Sequence, residues 1–165
     1  MPTESIQFMS AIGRISLYGT TSFISRVCLD EVVHLIQIEN APGSLILQAN
    51  TQLLEYLEGK RTVFEIPLDW ESIRGFQKDV LQLTLSIPIG EVRTYGQIAA
   101  QLHKPGSARA VGTALAMNPI PILIPCHRVV SANGHLSGYL GSKGIATKQW
   151  LLEREGHRIV GQKLG

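Results

Sequence analysis

Thr94-Tyr95-Gly96-Gln97-Ile98-Ala99-Ala100-Gln101-Leu102-His103-Lys104-Pro105-Gly106-Ser107-Ala108-Arg109-Ala110-Val111-Gly112-Thr113-Ala114-Leu115-Ala116-Met117 carries two short helical patterns on either side of a Pro-Gly turn. The apolar spacing predicts helices over Thr94 to Leu102 and Ser107 to Met117. Thr94 and Ser107 can each cap a helix start, and Asn118-Pro119 stops the second helix. Two such helices make a helix-turn-helix candidate, a geometry that many bundles also contain.

A helix that reads bases in the major groove needs long hydrogen-bonding side chains near its start. The second helix offers Ser107, Ala108, Arg109, Ala110, Val111 and Gly112, of which only Arg109 has reach and charge. Reading of base sequence is therefore not expected. Small residues let a helix approach a narrow groove, and one protruding Arg can fill space between base pairs. Alone, Arg109 reads first as an ordinary solvated arginine or a surface ion pair.

Immediately downstream lies Pro119-Ile120-Pro121-Ile122-Leu123-Ile124-Pro125-Cys126-His127-Arg128-Val129-Val130. Three prolines are expected to fix an apolar extended segment that delivers Cys126 to a defined place. A thiol is only a few per cent ionised at neutral pH, so a reactive one needs a base or cation beside it. His127 can supply that base, but neighbours on an extended chain point apart, so contact needs a turn or a bridging water. Cys28, followed by His34, lacks a second ligand pair for zinc and is read as core.

Outward to the N-terminus, short apolar runs at Arg14 to Tyr18, Phe23 to Leu29, Val32 to Ile38 and Thr62 to Leu68 predict strands. Ser44 to Leu57 and Gln77 to Leu85 predict helices. The fold expected is an α/β N-terminal domain over 1–75, a small antiparallel sheet with a covering helix, and a mostly helical, winged-helix-like domain over 76–165 that contains the helix-turn-helix. Charge is divided unevenly: residues 1–79 hold six Lys/Arg against ten Asp/Glu, and residues 80–165 hold nine against three. A basic half suggests a polyanionic partner. The chain shows no basic-then-apolar leader, and its longest bulky apolar run, Ile120 to Pro125, falls far short of a membrane span. A soluble intracellular protein is expected.

From about Phe76 to Gly156 the chain resembles the O6-alkylguanine-DNA alkyltransferases, also called methylated-DNA-protein cysteine methyltransferases. The resemblance is carried by Ile87-Pro88, Gly90-Glu91-Val92 before Tyr95, Ala108-Arg109-Ala110-Val111-Gly112, Asn118-Pro119, Pro125-Cys126-His127-Arg128, Gly138-Tyr139, Trp150-Leu151-Leu152 and Glu155-Gly156. It implies that Cys126 accepts an alkyl group from O6 of guanine, with O4 of thymine as a second candidate. His127 would take the thiol proton through a water, Glu155 would orient His127, Asn118 would brace the turn, and Tyr95 would serve the leaving base. Arg109 would replace the extruded nucleotide, with Thr94, Ser107, Ala108 and Ala110 against the DNA. Tyr95, Leu115, Val129, Tyr139, Leu140 and Gly141 would line the pocket.

The resemblance further implies one event per protein molecule, no cofactor, no metal and no membrane. The partner is double-stranded DNA containing alkylated guanine, met by a monomer that can assemble cooperatively on DNA. The location implied is cytoplasmic, with the nucleoid if bacterial and nuclear if eukaryotic. Read singly, Tyr95 is a packing aromatic, Asn118 a helix stop and Glu155 a solvated charge beside Arg154. Their joint occurrence at the family's spacing assigns the roles. Two departures stand out: the loop Leu140 to Thr147 is about two residues longer than the family's, and Leu81 stands where many relatives carry tryptophan. Two other readings of the residues are a thiol hydrolase with a Cys-His-Glu relay and a transcriptional regulator with sequence preference.

Overall fold

In the computed structural model, which describes residues 4–29, 44–139 and 144–165, the chain divides into two units, Met1–Ser72 and Ile73–Gly165. The first is built on an antiparallel sheet of β1 (Glu4–Ser10), β2 (Gly13–Gly19) and β3 (Ile24–Leu29), in that order. Phe8 faces Ile15 and Leu17 faces Val27 across the ladder. The period of two sends Ile15 and Leu17 to one face, where α1 (Leu45–Leu57) packs with Ile46, Ala49, Leu53 and Leu57. β1 is not legible in the sequence because Glu4-Ser5-Ile6-Gln7 lacks clean alternation, and pairing with β2 decides it.

Thr62 to Leu68, expected as a strand, forms none; only a bridge between Ile24 and Leu68 remains. Pro67 has no N–H to give a ladder, so the chain is held instead by Ile24 N–H on the Pro67 carbonyl (2.9 Å) and Asp69 N–H on the Ile24 carbonyl (2.9 Å). The strand expected over Val32 to Ile38 lies outside the described residues.

The second unit is mostly helical: α2 (Gly75–Leu85), α3 (Tyr95–Gln101), α4 (Ala108–Ala116) and α5 (Gly144–Arg154). Short strands β4 (Arg93–Thr94) and β5 (Val129–Val130) pair in parallel, while β6 (Ile159–Val160) and β7 (Lys163–Leu164) form a hairpin. Thr94 caps α3 reciprocally: its hydroxyl accepts Gln97 N–H (3.1 Å) and the Gln97 side chain accepts Thr94 N–H (2.7 Å). Ser107 occupies the equivalent position on α4, yet its side chain makes no cap hydrogen bond. His103 ends α3 in the left-handed region (φ 56°), its N–H on Ala100 O and Lys104 N–H on Ala99 O, the arrangement of a Schellman stop. Gln77 of α2 donates to the Met117 carbonyl at the end of α4 (2.9 Å), and Leu81 is fully buried beneath.

The proline-rich segment departs from expectation. It is not extended: Ile124 N–H closes on the Ile120 carbonyl (2.9 Å), Ile122 sits at φ 72°, and Cys126–Arg128 form one turn of 3-10 helix. Burial of Ile120, Ile122, Leu123 and Ile124 holds a β-branched residue in a backbone region it ordinarily avoids. The end of the supposed long loop also changes, since Gly144–Thr147 form the first turn of α5.

Candidate active site

Parallel pairing of Arg93 with Val129 and Thr94 with Val130 sets the start of α3 beside the turn that carries Cys126. A cavity of about 580 Å³ opens there, lined among others by Tyr95, Arg109, Leu115, Cys126, Ser137 and Tyr139. Arg109 is exposed on α4, and Ala108 also lines the cavity. The expected lining residue Val129 does not reach it: it is fully buried in β5, and its carbonyl faces Lys148 instead. Thr94, Ser107 and Ala110 lie near the rim elements but outside the lining, with Ala110 exposed and the other two partly so. Leu140 and Gly141 lie outside the described residues.

Asn118 binds the loop to itself and to the thiol. Its carbonyl oxygen accepts Ile120 N–H (3.0 Å), and its Nδ2 donates to the Ile124 carbonyl (3.1 Å) and to Cys126 Sγ (3.2 Å). Burial pushes the Cys126 thiol up, while the Asn118 amide, the Lys148 charge and a hydrogen bond with Tyr139 pull it back. Tyr95 donates its phenol to the Ser137 carbonyl (3.3 Å), and Ser137 Oγ lies 3.0 Å from Ser131 Oγ.

Behind the cysteine, His127 is fully buried and its Nε2 lies 2.8 Å from Glu155 Oε1. Glu155 is buried too, so it is not the solvated charge its neighbour Arg154 suggests. Burial holds the His127 imidazole below its usual range; Glu155 works against this, and the Arg128 and Lys148 charges add to it. A neutral ring that gives Nε2–H to an acceptor-only carboxylate keeps its lone pair on Nδ1. The adjacent pair Cys126-His127 thus sits on a turn, with the imidazole held at Nε2 by Glu155.

Two participants escaped the sequence reading. Lys148 is 1% exposed, gives its ammonium to the carbonyls of Val129 (2.6 Å) and Ser137 (3.1 Å), and lies 5.9 Å over the Tyr95 ring. Desolvation lowers it to about 8, with Cys126 acting in the opposite sense. The available signal was its place in α5, on the face shared by Thr147, Leu151 and Leu152. The second is Arg128, whose Nη2 reaches Glu155 Oε1 at 2.7 Å. Among the described residues no group of three His, Cys, Asp or Glu side chains is placed to hold a metal ion. Cys28 is buried in β3, and no described helix is long and apolar enough to cross a membrane.

Comparison with known proteins gives this site its family. The 6-O-methylguanine DNA methyltransferase DNA-binding domain matches residues 75–162. A methylated-DNA--protein-cysteine methyltransferase of Mycobacterium tuberculosis is 50% identical over 153 residues, 90% of this chain and 90% of that protein. Its counterpart in Salmonella typhimurium is 44% identical over 119 residues, which are 72% of this chain and 66% of the Salmonella protein. A crystal structure of Mycobacterium tuberculosis OGT in complex with DNA superposes with a TM-score of 0.78, covering 92% of each chain at 41% identity. The chain therefore belongs to the methylated-DNA-protein-cysteine methyltransferases, the DNA-repair proteins that take an alkyl group from DNA onto a cysteine.

Proposed function

We propose that this chain repairs double-stranded DNA by moving an alkyl group from O6 of guanine to Cys126, once per molecule and without a cofactor. The observation that carries this reading is one cavity that both Cys126 and Arg109 line. The alkyl carbon of a stacked base is out of reach, so the nucleotide must be rotated out, at a cost of a few kcal/mol. α3 and α4 act as the helix-turn-helix, α4 lies along the minor groove with Ala108 and Ala110 close to it, and Arg109 takes the vacated place in the stack.

In the transfer the sulfur–carbon bond forms as the carbon–O6 bond breaks. The thiol proton passes through a water to Nδ1 of His127, whose positive charge Glu155 stabilises. Tyr95 turns its phenol from Ser137 to the guanine, so the base leaves protonated rather than as an anion. Asn118 keeps the turn in place and donates to the sulfur while it carries charge. The thioether is stable, so the protein acts as a monomeric, single-use acceptor.

The test uses a duplex with O6-methylguanine and the mass of the tryptic peptide containing Cys126. A gain of one methylene, limited to one event per protein and lost in Cys126→Ala, is expected; repeated turnover or an unchanged peptide rejects the reading. Arg109→Ala should slow repair of the duplex lesion far more than reaction with a free alkylguanine base. Equal losses on both substrates count against the wedge.

A further inference from the structure

Glu155 is shared. Its Oε1 takes His127 Nε2 (2.8 Å), Arg128 Nη2 (2.7 Å) and Arg128 Nε (3.2 Å), and its Oε2 takes Arg128 Nε (2.9 Å). The remaining end of the guanidinium, Nη1, donates to the Ile87 carbonyl (2.5 Å), which anchors the fork beyond the end of α2. Arg128 is 6% exposed and Glu155 8%, so little water screens the pair. Consecutive residues on a 3-10 turn point about 120° apart. That His127 and Arg128 nevertheless meet on one carboxylate follows from where α5 ends.

A guanidinium is always charged and matches a carboxylate in two-point geometry. It shares the negative charge of Glu155, so before transfer the imidazole has a partner that orients it without drawing in a second proton from solvent, while the carboxylate still supports the imidazolium formed once the thiol proton arrives. Lys148 from α5 also bears on His127 through its charge, and the Tyr139 ring lies edge-on to it at 6.4 Å. Neither is a carboxylate. Were the guanidinium removed, a buried Glu-His pair would be left to capture a proton, and either site of capture would cost the acceptor atom or its anionic support.

We infer that Arg128 is a positioning residue for the transfer: by holding Glu155 in a fork it keeps His127 neutral, hydrogen on Nε2 and lone pair on Nδ1, ready for the proton of Cys126. This deepens the relay reading above and rests on it.

The experiment measures single-turnover transfer from a saturating O6-methylguanine duplex between pH 5.5 and 9 for the wild type, Arg128→Met, Arg128→Lys and His127→Gln. The acid limb of Arg128→Met should move up by about one pH unit, so its deficit should be several-fold larger near pH 5.5 than near pH 8.5, with about tenfold as the limit well below both limbs. Arg128→Lys keeps the charge and should return the limb to the wild-type position even where its rate is lower. A uniformly slower Arg128→Met with an unmoved limb overturns the inference and leaves the relay standing. An acid limb that survives in His127→Gln overturns the relay itself. If Arg128→Met does not fold, the ring nitrogen-15 shifts of His127 in the intact protein decide: a neutral Nε2–H ring at pH 7 is expected. An imidazolium or an Nδ1–H ring refutes the role of Arg128.

Discussion

Lys148 shows how much one side chain depends on its surroundings. An ammonium 1% exposed, held by two carbonyls and a ring face, has lost most of its hydration and holds its proton less firmly than in water unless an anion forms nearby. The Cys126 thiolate is that anion in the proposed reaction. The sign of the pH effect follows from its folded value of about 8 against the ordinary 10.5. Between those values the unfolded chain holds a proton that the folded chain lacks, so stability should rise with pH across that window. Urea unfolding at pH 7.5 and pH 10 should show wild type gaining about 2 kcal/mol relative to Lys148→Met. A parallel pH response in the two proteins excludes the buried cation.

Among the elements, α3 is short, and a helix of seven residues has little stability of its own. Its reciprocal cap is therefore worth a large share of what keeps Tyr95 in the cavity wall. Thr94→Ala should cost about 1 kcal/mol, seen in thermal melts as a drop of about 2–4 °C. Because β4 is only Arg93–Thr94, the same substitution should also slow transfer more than an equally destabilising change in the sheet of the first unit. Equal activity at matched stability rejects that link. α5 works at its two halves: Lys148 approaches the sulfur side, and Glu155, just past its end, closes the imidazole side.

At the scale of the molecule the excess of cations after residue 79 suits a partner bound through phosphates rather than bases. Affinity for an undamaged duplex should fall steeply with salt, with a log-log slope of about −0.9 for each phosphate neutralised, and should vary little with base sequence. A marked preference for one undamaged sequence contradicts the small-residue face of α4. Both measurements come from titrations of labelled duplexes at several salt concentrations.

What was legible from residues alone was whatever neighbours along the chain decide. The two helices about Pro105-Gly106, the cap at Thr94, α1 with its apolar face, and the Pro-Cys-His-Arg motif all announce themselves locally, because helix periodicity and turn chemistry act over a few residues. Strand pairing does not, so β1 went unseen and Thr62 to Leu68 was over-read. The family motif supplied the pairing of His127 with Glu155, but spacing could not show that Arg128 shares that carboxylate or that Lys148 is buried behind the sulfur. These contacts join residues about twenty to forty positions apart, and only the packing of α2 and α5 around the Cys126 turn brings their charges close enough, and far enough from water, to act on one another.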